Sequence, residues 1–272
     1  MMPAAPATAR FTTQRITAIQ RRTPTLVNFR TTRDAEFRFT PGHYARLGLG
    51  EAEAQIWRPY SIASAADADH LDFQLTLVPG GAFCERFGEL AEGDAIHVDT
   101  RSFGFLTLDP LAPGGTLWML STGTGLAPFI SILMDPATWN KYPRVVLVHS
   151  VRHAAELMPD AIAAAMASPA ASSASASAPG AVPATDGRPR FVYLPVVTRE
   201  QAPGALHARL GELLRTGALE EAGGAALDTE HSRAMLCGNP EMIKEMRAML
   251  KERGMLAGRR GVPGQIAAEG YW

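Results

Sequence analysis

Residues 116–133 read TLWMLSTGTGLAPFISIL, and this stretch decides the fold. Its first seven residues form an apolar run of strand length. A turn at Gly123-Thr124-Gly125 follows, and then a second apolar run whose first turn can hold Pro128. Proline is tolerated in the first helical turn because the N–H it lacks has no partner there. A buried strand running through glycines into a helix is the repeating unit of a parallel α/β sheet. Glycines at such a turn also let backbone N–H groups and the helix N-terminus approach a pyrophosphate. The pattern is G-x-G-x-x-P rather than G-x-G-x-x-G, so taken alone it is a weak signal that reads first as a tight turn.

Downstream the unit recurs. RVVLVHS (144–150), FVYLPVV (191–197) and AMLCG (234–238) are strand-like, and residues 127–134, 205–215 and 240–253 are expected to be helical. Upstream the texture differs. FTTQRITAIQ (11–20), LVNFRTT (26–32), HYARLGL (43–49), RPYSIAS (58–64), LDFQLTLV (71–78) and AIHVDT (95–100) are short runs separated by turn signals, the spacing of a small antiparallel barrel. The expected architecture is therefore two-domain, with an antiparallel β-barrel over 11–110 followed by a doubly wound α/β domain over 111–272. Residues 1–10 read as a loose tail. Residues 168–188, rich in Ala, Ser, Pro and Gly, read as a flexible surface insertion.

Composition narrows the function. The chain has 272 residues, a formal net charge of −1 and two cysteines, Cys84 and Cys237, in no C-x-x-C or Cys/His cluster. Near-neutral charge argues against nucleic-acid binding, and the cysteines offer neither a metal site nor an iron–sulfur centre. No stretch approaches the ~18 apolar residues that a membrane span needs, and the first residues lack a signal-peptide pattern. A cytoplasmic, monomeric protein with no membrane attachment is expected.

Three arginines bear on nucleotide choice. After RVVLVHS, where an NAD-binding fold carries Asp or Glu for the ribose hydroxyls, this chain has Arg152, and the next strand end supplies Arg199. Arg209 lies in the helical stretch behind it. Arginine at these positions suits a 2′-phosphate, which favours NADP. In RPYSIAS, Pro59 holds Arg58 extended and sets Arg58, Tyr60 and Ser61 at defined angles. An arginine can clamp a phosphate, an aromatic can cover a planar ring, and a hydroxyl can bond a ring nitrogen. An ordinary barrel strand explains the same residues equally well.

RPYS, LTLVPGG, TLWMLSTGTGLAPF, VHSVRHAAEL, VVTRE, MLCGNPEM and AEGYW occur in one order over nearly the whole chain outside 168–188. Together they closely resemble the bacterial ferredoxin/flavodoxin–NADP(+) reductases. The resemblance implies an FAD-binding barrel followed by an NADP-binding domain, with hydride passing between NADPH and FAD and single electrons passing to a ferredoxin or flavodoxin. It also implies that Arg58 contacts the FAD phosphates, Tyr60 packs on the isoalloxazine, Ser61 bonds near the hydride-accepting nitrogen, and Gly81 opens the turn toward the pyrophosphate. Gly123, Thr124, Gly125, Arg152, Arg199 and Arg209 would hold NADP. Cys237 would sit beside the transferring hydride as a positioning group, Glu269 would assist proton exchange or stabilise the half-reduced state, and Tyr271 and Trp272 would lie against FAD.

The chain departs from the family pattern at Cys84, where Ser or Thr is common, and at Gly270, which loosens the approach to the aromatic pair. A reductase component serving an oxygenase through a separate carrier, or a non-catalytic flavin-binding protein, stays open at this level. AGRRGVPG (257–264) adds Arg259 and Arg260, which would steer an acidic carrier or simply be solvated.

Overall fold

The computed structural model describes residues 10–50, 55–169, 171, 190–259 and 261–270. The first half is an antiparallel sheet of β1 (Phe11–Arg21), β2 (Leu26–Thr32), β3 (Tyr44–Leu49), β4 (Ile56–Ser61), β5 (His70–Thr76) and β6 (Ala95–Phe103), in the order β4-β3-β6-β1-β2-β5. The two ends meet through an antiparallel bridge between Ile62 and Phe73, reinforced by Ala63 N–H donating to Asp72 O at 2.8 Å. The sheet thus curls into a barrel, which leaves few unpaired edges. Alternating residues fill it: Val27 and Phe29 of β2, Leu71, Phe73 and Leu75 of β5, and Ile96 and Val98 of β6 are all buried. Helix α1 (Ala82–Gly88) plugs the barrel with Phe83 and Phe87.

The second half is a parallel sheet of β7 (Thr116–Thr122), β8 (Arg144–Val151), β9 (Phe191–Val197), β10 (Ser232–Gly238) and β11 (Ile266–Gly270), in the order β11-β10-β7-β8-β9. Helices α2 (Ala127–Leu133), α3 (Pro136–Lys141) and α4 (Pro159–Met166) contribute to the core on one face. On the other face lie α5 (Leu210–Thr216), α6 (Ala218–Gly223) and α7 (Pro240–Glu252). Period-two alternation sorts the strands between the faces. Leu117, Met119, Val145, Leu147 and Met235 face the first helix layer, and Trp118, Leu120, Val146, Val148 and Leu236 face the second. Asn239 caps α7 by accepting from the N–H groups of Glu241 and Met242 at 2.9 and 3.2 Å, with Pro240 beginning the helix.

All seven residues of α2 are buried, because the helix lies between its own sheet and residues of the first half. Leu26, Ala63, Leu106 and Leu108 join its core cluster, so the two halves share apolar packing. A charge pair reinforces the junction: the Arg22 guanidinium, on the turn after β1, binds both carboxylate oxygens of Asp160 in the first turn of α4.

Three sequence expectations are corrected. The expected helix over 205–215 begins only at Leu210, because Leu206 pairs with β9 through Leu206 N–H to Pro195 O and Val197 N–H to Leu206 O, both at 2.9 Å. Arg209 is therefore an extended cap residue and not a helical one. The segment read as a solvated insertion starts later than 168, since Ala171 is buried in the core; residues 170 and 172–188 lie outside the described residues. Residues 266–270, which no strand reading covered, form the fifth parallel strand.

Candidate active site

Every strand of the parallel sheet presents its C-terminal end toward one crevice, and there the register aligns a transverse row of residues. Glu269 pairs with Cys237, Cys237 with Ser121, Ser121 with His149, and His149 with Pro195. Laterally paired residues project from the same face of a sheet. Here that face is the one bearing Met119, Leu147 and Met235, toward α2 and the barrel. Cys237 is fully buried. Glu269 is half-buried, and burial raises its carboxyl above the ordinary range, against the opposing pull of the Phe105 N–H, which donates to Oε2 at 3.4 Å. Phe105 belongs to the linker between the halves, so the carboxylate is held from both sides.

The β7–α2 turn, residues 123–126, forms the floor of the crevice. Gly123 takes φ +53°, and a side chain there would meet open space. Gly125 is required for a different reason: a Cβ would fall 2.4 Å from the Cys237 carbonyl oxygen, so the turn rests directly on the end of β10. Thr122 Oγ1 adds a tie by accepting from the Asn239 N–H at 2.7 Å. The same turn packs against β5 of the barrel. Gly123, Thr124, Gly125, Cys237 and Glu269 are thus brought together at the junction.

Arg152 and Arg199 meet beyond the ends of β8 and β9, and Arg209 follows on the extended segment that pairs with β9. Arg199 N–H donates to Arg152 O at 3.0 Å, which sets the two residues side by side. The loop holding Arg152 is ordered by carboxylates on its backbone. Glu156 Oε2 accepts from the N–H groups of Arg152 and His153, both at 2.9 Å, and Glu200 Oε1 accepts from Ala154 N–H at 2.7 Å. Arg152, Arg199 and Arg209 are exposed. Spending the carboxylates on backbone leaves these side chains available to an anion.

On the barrel side, Arg58 is exposed on β4 with Nη1 bonded to Trp57 O at 2.8 Å, while Ser61 is buried. The Tyr60 ring lies 5.2 Å from the Phe83 ring. Burial, then the neighbouring Cys84, push the Tyr60 phenol up, while Arg58 opposes them; the shift therefore records all three groups in one neighbourhood. Gly81 is the N-cap of α1 in an extended conformation, and the left-handed residue of that turn is Gly80, at φ +76°. Cys84 donates its thiol to Thr76 O at 3.6 Å, a bond that leaves its backbone N–H in the first turn of α1. Tyr271 and Trp272 lie outside the described residues.

Sequence reasoning passed over His149, Phe105, Glu156 and Glu200. A signal existed for the first: a histidine inside the otherwise apolar run VVLVHSV is a polar group placed in a fully buried strand. Glu156 and Glu200 act on backbone amides, which no side-chain motif advertises. The residues present fit the two cofactors that the crevice implies. The open turn and exposed arginines suit a phosphorylated dinucleotide, and Arg58 beside Tyr60 suits a flavin dinucleotide.

Comparison with known proteins agrees. Residues 13–102 match the oxidoreductase FAD-binding domain model, and residues 119–248 match the oxidoreductase NAD-binding domain model. The chain is 35 % identical over 260 residues to a ferredoxin–NADP reductase of Pseudomonas aeruginosa, spanning 94 % of this chain and 96 % of the relative. It is 33 % identical to a flavodoxin/ferredoxin–NADP reductase of Escherichia coli, spanning 97 % of this chain and all of the relative (100 %). A crystal structure of a ferredoxin NADP+ reductase from Neisseria gonorrhoeae with bound FAD and NADP superposes with a TM-score of 0.84 at 34 % identity, covering 97 % of this chain and 100 % of that one. With both domain models matched and full-length relatives above 30 % identity, the chain belongs to the ferredoxin–NADP reductase family, oxidoreductases that use FAD and NADP(H).

Proposed function

We propose that this chain takes hydride from NADPH and delivers single electrons to a small ferredoxin or flavodoxin, with residues 11–110 holding FAD and residues 111–272 holding the nicotinamide nucleotide. The observation that carries the reading is the row in which Glu269 and Cys237 stand in register beside the Gly123–Gly125 turn. Bound FAD supplies the conversion between a two-electron hydride and single electrons. The protein's own residues bind, orient and exclude.

Arg152, Arg199 and Arg209 clamp the 2′-phosphate and so select NADPH over NADH. The Gly123-Thr124-Gly125 turn receives the backbone of the dinucleotide. Cys237, fully buried and fixed by Gly125 behind it, shapes the surface against which the nicotinamide aligns, and alignment is what hydride transfer needs. Arg58 and the turn at Gly81 hold the FAD diphosphate, Tyr60 and Ser61 bound its ring, and Tyr271 and Trp272 cover it. Glu269 holds a proton on its carboxyl more readily than an exposed glutamate, which suits exchange near the flavin.

The carrier approaches at a groove of about 860 Å³ at the junction. Phe105, 89 % exposed, and Val262, 64 % exposed, offer apolar contact there, and Arg247 and Arg259 line the same groove. An apolar centre flanked by cations complements an acidic electron carrier. The test is cytochrome-coupled reduction of a ferredoxin and of a flavodoxin by the purified protein with NADPH and with NADH. Turnover of neither carrier with NADPH would overturn the reading.

A further inference from the structure

The buried His149 stands in the same transverse row as Cys237 and Glu269, yet a nucleotide at the turn would not touch it. Its Nε2 lies 3.1 Å from the carbonyl oxygen of Gly123. A carbonyl can only accept, so Nε2 carries the proton and donates. The ring is wholly inside the protein, and its Nδ1 has no hydrogen-bond partner among the described residues. A buried polar side chain normally satisfies every group it brings. Here one nitrogen is left unpaired while the other is spent on a single turn.

That turn is the one that matters. Gly123 is the left-handed residue at which β7 leaves the sheet, and a left-handed residue with no side chain has little of its own to hold it. Two residues on, Gly125 rests against the carbonyl of Cys237. A contiguous path of hydrogen bond and close packing therefore runs from His149 through Gly123 and Gly125 to the end of β10.

We propose that His149 is a positioning residue for nucleotide binding: its Nε2–H donor sets the Gly123–Gly125 turn, and through it the Cys237 backbone, in the geometry that receives the dinucleotide. This inference rests on the proposed location of the nucleotide. Because the turn serves the part common to NADPH and NADH, His149 tunes affinity for both and leaves the choice between them to the arginines. Burial presses the imidazole down to about 4, so the neutral donor persists at ordinary working pH.

The test uses three substitutions in the FAD-loaded protein. In His149→Gln the amide nitrogen reaches close to the position of Nε2 and can still donate to Gly123. In His149→Asn the amide is one methylene short, and in His149→Phe the ring stays without a donor. Hydrogen exchange of the 119–126 backbone, measured without nucleotide, should rise in the Asn and Phe variants and stay near wild type in the Gln variant. Titration with NADP+ should show affinity falling by about three- to tenfold in the Asn and Phe variants, the range that one lost hydrogen bond supports, and by less than twofold in Gln. The NADPH-to-NADH preference should be unchanged in all three.

Equal damage in all three variants would overturn the inference in favour of ring packing, as would unchanged exchange and affinity in Asn and Phe. Arg152→Ala is run alongside. If it also leaves the preference unchanged, the nucleotide location itself is wrong. If it shifts the preference while the His149 variants do not follow the donor pattern, only the role of His149 falls.

Discussion

Cys237 and Glu269 are register partners on the adjacent parallel strands β10 and β11, so a buried thiol and a half-buried carboxyl project side by side from the same sheet face. Neighbours that share a site do not act independently. Glu269→Gln should slow turnover with both dye and carrier by roughly 100-fold, at the lower end of a general acid–base contribution. The preference for NADPH should stay where it was. Cys237→Ala should lower the same rate, and the double variant should lose less than the product of the two. Steady-state kinetics on the four proteins measures this; strict additivity would separate the two residues.

Cofactor choice tests the arginines beyond β8 and β9. Arg152→Ala, Arg199→Ala and Arg209→Ala should each cost about 1.5–3 kcal/mol with NADPH, roughly tenfold to 150-fold in kcat/KM, and little with NADH. Arg152 and Arg199 are joined through their backbones, so their pair should be non-additive. Arg209, on a separate extended segment, should combine additively with either. Equal losses with both nucleotides would make these arginines structural.

Carrier recognition should depend on salt. Arg247→Glu with Arg259→Glu should slow reduction of an acidic carrier at low ionic strength and spare reduction of ferricyanide, because steering alters encounter and is screened by ions. Phe105→Ser should weaken carrier turnover at every salt concentration, since apolar burial is not screened. A parallel loss with ferricyanide would assign these residues to the flavin site instead.

Acid should weaken the fold through His149. Its folded value is pressed to about 4, from an ordinary 6.5, by burial. Below the unfolded value the unfolded chain binds the extra proton, so stability present above about 6.5 is lost as pH falls toward about 4. Glu269 works in the opposite sense. Its raised carboxyl means that the native state keeps a proton which the unfolded state has released, so stability falls as pH rises from the ordinary carboxyl range through the folded value. Urea unfolding from pH 4 to 7 should show a flatter acid limb for His149→Gln. Glu269→Gln should be more stable than wild type only on the neutral side.

The halves should come apart together at one contact. Arg22→Ala removes the bidentate partner of Asp160 across the junction, and a loss of about 1–2 kcal/mol is expected, toward the lower end because Asp160 is largely exposed. Exchanging the two residues, Arg22→Asp with Asp160→Arg, should recover part of it. Failure of the exchange to recover anything would assign the cohesion of the junction to its other contacts, the shared apolar cluster first, and not to this ion pair.

The sequence carries the architecture because periodicity survives without contacts. The largely apolar β7 and β8, with their central runs LWML and VVLV, set against the alternating strands of the barrel, separate a sheet buried on both faces from one that closes on itself. Residues proposed to work through their own side chains, such as Arg58, Arg152 and Arg199, are readable as motifs. Residues that work through the backbone of others are not. Glu156 and Glu200 order an arginine loop, Phe105 meets Glu269 through its N–H, and Leu206 stops a helix by pairing with β9. Each depends on a neighbour far away in the chain, which spacing does not encode. Strand β11 escaped for a related reason, because IAAEG has no strand signature and forms only where β10 offers its edge.

The position of Glu269 also bears on how the two halves depend on each other. Strand β11 is the outermost member of the sheet, and its carboxylate is pinned by the linker on the opposite side. The acid therefore depends on two neighbours at once: β10 sets its register and the linker supplies its donor. A cut between the linker and the sheet would leave Glu269 in register with Cys237 but without its donor, so the setting of this carboxyl is a property of the joined chain.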